Sequence, residues 1–115
     1  MPSTTKIDEY VVFYSTNAFA PRLGLYAAGK LIGQLNFEAD GVPLPADSLQ
    51  NGIPMLFYRK QDFANTLDIL RNEKPVYLYF NGAGTSFENG LRTMQKPVKV
   101  IPKRATVAAR PRRAR

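Results

Sequence analysis

The chain has 115 residues, 16 Lys and Arg against 9 Asp and Glu, a formal net charge of +7, and no Cys, His or Trp. Without Cys there is no disulfide frame, thiolate nucleophile or cysteine zinc site. Without His there is no imidazole base, no Ser-His-Asp triad and no histidine-ligated metal. The length suits one domain, and the 44% of apolar and aromatic residues is enough to bury a core.

The charge divides sharply along the chain. Residues 1–95 hold eight basic groups and all nine acids, a net −1. Residues 96–115 hold the other eight basic groups and no acid, a net +8. This gives an organisation of a near-neutral compact domain over 1–95 and a basic, Pro/Ala/Arg-rich tail over 96–115, whose like charges and prolines predict disorder. The N-terminal Met-Pro-Ser-Thr-Thr-Lys-Ile-Asp-Glu lacks the apolar core of a secretory signal. No apolar run approaches the roughly 20 residues of a membrane helix, so a cytoplasmic location with no membrane partner is expected.

In chain order, Tyr10-Val11-Val12-Phe13-Tyr14 is β-branched and aromatic on both alternating faces, which predicts a central strand. Leu23 to Phe37 reads as a hairpin. Leu23, Leu25 and Ala27 alternate on one arm, and Leu31, Gly33, Leu35 and Phe37 on the other. Gln34, Asn36 and Glu38 face away, and Ala28-Gly29 supplies the turn. Asp40 to Pro54 reads as a proline-rich covering loop. Met55 to Arg59 predicts a strand.

Asp62 to Glu73 predicts the one helix. Phe63, Leu67 and Leu70 form an apolar stripe, Asp62 stands as N-cap, Asp68 and Arg71 are spaced to pair, and Pro75 ends it. Val76 to Phe80 follows as a strand, and a last short strand falls near Leu91 to Met94, with Asn89-Gly90 as a hairpin-turn signal. The expected fold class is therefore α+β: a mainly antiparallel, curved sheet of about five strands with one amphipathic helix, in the order β-β-β-β-α-β. This order of elements is similar to the meander-plus-helix of small single-stranded-DNA-binding coactivator domains. One helix cannot cover Phe13, Tyr14, Tyr26, Phe57, Tyr58, Tyr77 and Tyr79 together, and that surplus predicts a homo-oligomer, with a dimer favoured.

The chemistry left to the domain is carboxylate, Lys, Tyr, Ser and Thr. The acids are scattered, with no DxD-type pair and no Ser-x-x-Lys, so no catalytic residue, cofactor or metal is expected and the chain reads as a non-enzyme. Residues 81–90 are Gly-rich and follow a strand directly. Gly82 and Gly84 give half a dinucleotide fingerprint, but Phe87 stands where the third Gly belongs and no Gly-Lys-Ser/Thr follows. Gly82, Gly84, Thr85 and Ser86 are accordingly a candidate anion site built on backbone amides.

The tail is the stronger signal. Lys96, Lys99, Lys103, Arg104, Arg110, Arg112, Arg113 and Arg115 form an acid-free arm suited to sequence-independent binding of nucleic acid through counterion release. Tyr58 beside Arg59 and Lys60 is a candidate stacking position, and Tyr77 and Tyr79 share one strand face. The function expected is non-enzymatic nucleic-acid binding, single-stranded or sequence-independent. The alternatives are a protein-interaction or scaffold domain, or a small anion or nucleotide binder at 81–86, with an incidental tail.

Overall fold

The computed structural model describes residues 2–94, so the eight tail cations from Lys96 to Arg115 lie outside the described residues. Eight strands form two sheets. They are β1 (Ser3–Lys6), β2 (Glu9–Phe13), β3 (Arg22–Ala27), β4 (Lys30–Glu38), β5 (Ser48–Gln50), β6 (Ile53–Arg59), β7 (Val76–Phe80) and β8 (Gly90–Thr93). The larger sheet runs β2-β3-β4-β6-β5 and the smaller β1-β7-β8. A 3-10 turn (Lys60–Asp62) leads straight into helix α1 (Phe63–Asn72). The fold is a mostly-β α+β fold. The expected single sheet of about five strands is corrected to two sheets of three and five.

The β3–β4 hairpin forms over the expected span, but the expected face of Leu31 is corrected: a bulge opposite Leu25 and Tyr26 turns Leu31 outward beside Gly24 and brings Ile32 against the core. Ala27 pairs with Lys30 across Ala28-Gly29, whose φ values of 52° and 75° give the left-handed pair of a tight hairpin turn. Leu23 and Leu25 on β3 and Leu35 and Phe37 on β4 are fully buried. They meet Leu56 of β6, Leu70 of α1, and Val76 and Leu78 of β7 in one core.

The expected meander fails at β4. After β4 the chain overshoots one position, places β5 on the far edge, and returns as β6 between them. β6 therefore lies parallel to β4, from Gln34↔Met55 to Glu38↔Arg59, and antiparallel to β5. The turn between β5 and β6 is Asn51-Gly52, with φ of 52° and 79°. The expected loop over 40–54 thus contains a strand and a hairpin turn. Pro54 is tolerated in β6 because it precedes the first residue paired with β4, so its missing N–H interrupts no β4 ladder.

The two sheets share one ribbon. Ile7 N–H donates to the Val76 carbonyl at 2.9 Å and Asp8 N–H to the Tyr26 carbonyl at 2.8 Å. The chain therefore passes from β1 in the small sheet to β2 in the large one without a loop. The sheets also pack closely at Gly33, where a Cβ would stand 2.6 Å from Leu78 Cδ2. The expected central strand at 10–14 is corrected to an edge: β2 pairs with β3 alone.

Helix α1 closes one end of the core. Phe63 meets the Phe37 ring edge-on at 5.0 Å, Tyr14 stacks on Phe63 at 5.5 Å, and Tyr58 stacks on Phe37 at 5.4 Å. These four rings form a continuous aromatic spine. Arg71 and Asp68 pair at 2.7 Å as their spacing predicts. Asp62 makes no side-chain cap, since the 3-10 turn already supplies carbonyls ahead of the helix; its backbone oxygen accepts the Thr66 hydroxyl at 2.8 Å. Among the described residues, no helix is long and apolar enough to cross a membrane.

Candidate nucleic-acid interface

The small sheet has two unlike faces. Val76 and Leu78 of β7 turn into the core and are buried, so by strand alternation Tyr77 and Tyr79 turn outward, where both are half-buried. Register places Lys6 of β1 on one side of Tyr77 and Arg92 of β8 on the other. Thr4 lies beside Tyr79. The Arg92 guanidinium sits 3.5 Å from the centroid of the Tyr79 ring, a close cation–π contact. Two phenol rings and two cations are therefore gathered on one outward face. β8 ends at Thr93, and the acid-free segment begins at Lys96.

Lys6 and Arg92 carry no signal in isolation. Only the pairing of β1 and β8 with β7 brings them to the tyrosines, and Ser-Thr-Thr-Lys is too polar to announce a strand. A broad cleft of about 750 Å³ opens from Lys6 past Lys74 and Arg71, with Asp8 and Glu73 offsetting its cations.

The other candidate stacking position, Tyr58 with Arg59 and Lys60, is differently placed. One face of Tyr58 lies against Phe37 in the aromatic spine. Its hydroxyl is pushed up to about 12 by burial, then by the nearby charges of Asp47 and Asp62, so it is neutral at physiological pH. Arg59 donates to the Val42 carbonyl, while Lys60 is exposed at the start of the 3-10 turn.

The Gly-rich loop is organised from within. Asn89 Oδ1 accepts from Asn81 N–H at 2.6 Å and Gly82 N–H at 3.3 Å, and Asn89 Nδ2 donates to the Gly82 carbonyl and to Asp47 Oδ2, both at 2.9 Å. Gly84 N–H donates to the Asp47 carbonyl at 2.8 Å. Asp47 Oδ1 accepts Phe57 N–H at 3.1 Å, one step beyond the end of the β5–β6 ladder. The amides of Gly82 and Gly84 are thus occupied, while Thr85 and Ser86 lie exposed. The expected Asn89-Gly90 turn is corrected: Asn89 serves as the loop's internal staple, and Gly90 opens β8, where a Cβ would stand 2.9 Å from Tyr58 Oη.

Asn89→Ala should be destabilising, because it removes the partner of two amides, the Gly82 carbonyl and one Asp47 oxygen at once. About 1–3 kcal/mol of stability is expected to be lost, read from a urea midpoint shifted at constant slope.

Among the described residues, no group of three or more His, Cys, Asp or Glu is gathered closely enough to hold a metal ion. No protein-family model, no curated protein and no solved structure matches this chain.

Proposed function

We propose that this protein binds single-stranded nucleic acid without sequence preference, using the outer face of the β1-β7-β8 sheet and the basic segment that follows it. The observation that carries this reading is the row Lys6–Tyr77–Arg92, with Tyr79 beside it, on the strand set that leads into eight cations. Each component has its own task. Bases stack on aromatic faces whatever their identity. Arg92 extends the stack, since a guanidinium plane offers a base a flat face much as a ring does. Lys6 and the cations from Lys96 to Arg115 neutralise phosphates and release counterions, which contributes affinity and carries no sequence information. The function is binding rather than catalysis, in keeping with a domain of scattered carboxylates.

The test is fluorescence anisotropy of a labelled oligothymidylate against the full chain at two salt concentrations. If all eight tail cations meet phosphates, the single-strand salt slope reaches at most about −6, so affinity falls by up to roughly 10³-fold between about 50 and 200 mM salt. Replacing the eight cations by Gln is expected to flatten that slope. An absence of binding by the full chain at low salt would overturn the reading.

A further inference from the structure

We infer that β2 is a self-pairing edge, and that two copies of the chain join antiparallel along it into one continuous sheet of ten strands. Four strand edges are open among the described residues: β1, β8, β5 and β2. Three are blunted in the ways that discourage pairing. β1 is Ser-Thr-Thr-Lys, β8 carries Arg92, and β5 is only three residues long. β2 is Glu-Tyr-Val-Val-Phe, with no Lys, no Pro and no bulge in its ladder to β3. Apart from Tyr10, half-buried against the core, its side chains are open to solvent: Val11 is 40%, Val12 43% and Phe13 39% exposed, and Tyr14 just beyond is 68% exposed. An apolar, regular edge left bare invites another strand.

Self-complementarity identifies that strand as a second β2. A two-fold axis at Val11, the middle residue of the strand, pairs every residue of Glu9–Phe13 with the other copy. In that register Val11 meets Val11, Tyr10 meets Val12, and Glu9 meets Phe13. The Arg22 guanidinium already lies over the Phe13 ring, 5.1 Å from its centroid, on the strand directly inboard. Glu9 of one copy therefore arrives two strand spacings, about 10 Å, from the Arg22 backbone of the other, within reach of two long side chains on the same face. The axis repeats this contact, so two Glu9–Arg22 ion pairs flank a Val11 centre. Shifting the axis to bring Glu9 opposite its own copy would instead oppose like charges and leave Phe13 unpaired. An isologous contact of this kind closes on itself and stops at two.

The inference does not depend on nucleic-acid binding and is tested apart from it. Full chain freed of nucleic acid by nuclease and a high-salt wash, then returned to low salt where an ion pair is little screened, is examined by sedimentation equilibrium over micromolar concentrations, and a dimer mass is expected. Val11→Lys places two ammonium groups face to face on the axis and should give a monomer that still melts cooperatively, with a midpoint below the parent's by the dimer's contribution. Glu9→Arg and Arg22→Glu should each weaken the dimer severalfold, and the two together should restore it. That exchange decides the matter even if Val11→Lys perturbs the fold. A wild-type chain that stays monomeric, a dimer indifferent to Val11→Lys, or a charge exchange that restores nothing would overturn the inference.

Discussion

Phe37→Ala is expected to lose about 3–5 kcal/mol of stability, because Phe37 is the largest fully buried side chain among the described residues. Phe37 is 0% exposed and sits where the β4 strand, the β6 strand and helix α1 converge. Its ring is the middle of the aromatic spine, touched edge-on by Phe63 and face-on by Tyr58. Deleting it removes the buried apolar area and leaves a cavity whose walls lie on three different elements. They cannot close in together without breaking the β4–β6 ladder. Set against the 5–15 kcal/mol typical of a folded domain, the loss brings the chain near its unfolding threshold. Chemical denaturation should show it as a large fall in midpoint. Phe19→Ala is the matched control: Phe19 is 65% exposed, so the same chemical deletion should stay within about 0.5 kcal/mol. Equal losses at the two positions would contradict the placement of Phe37 at the junction.

Tyr77→Ala combined with Tyr79→Ala is expected to weaken oligonucleotide binding by about 1–3 kcal/mol for each base that loses its stacking partner. For one base this is roughly 5- to 150-fold. The salt slope should not change, because neither substitution removes a charge. Replacing the eight tail cations by Gln should act in the opposite way, flattening the slope while leaving the tyrosine effect in place. The two sets of variants therefore separate stacking from counterion release within one titration. Tyr77→Phe with Tyr79→Phe should bind almost as the parent does, since stacking uses the ring and not the hydroxyl. If the alanine variants bind unchanged while the slope persists, the basic segment acts alone and the sheet face takes no part.

Part of this architecture was legible in the residues. The Leu23 to Phe37 hairpin around Ala28-Gly29, the apolar stripe of α1 and the Val76 to Phe80 strand each carry their own period, and each formed where expected, save that the bulge in β4 exchanges Leu31 for Ile32 on the core face. What escaped depends on partners distant in the chain. β1 is polar in composition and is held by β7 far along the sequence. The parallel β4–β6 pair arises although the intervening segment holds no helix, whereas parallel neighbours are ordinarily joined by a longer, usually helical crossover. Three Asn-Gly pairs look alike as sequence, yet only Asn51-Gly52 has strands ready to pair on both sides; Asn81-Gly82 opens the Gly-rich loop, and Asn89 closes it and turns its amide inward to hold it. The same logic governs the candidate interface. Tyr77 and Tyr79 are recognisable as one face from alternation alone, whereas Lys6 and Arg92 join them only through register. The apolar character of both faces of β2 suggested a centre strand, and the strand proved to be an edge.

The ribbon shared by the two sheets also bears on how the chain is made. Ser3 pairs with Phe80 and Glu9 with Tyr26, so the two halves of one N-terminal stretch wait for very different partners. β2 can be seated on the β3–β4 hairpin early in synthesis. β1 has no neighbour until β7 has cleared the ribosome, and at about 5–20 residues per second that is a delay of several seconds. The first strand to emerge is thus among the last to be placed, and the small sheet with its tyrosine face is assembled only when translation of the domain is nearly complete.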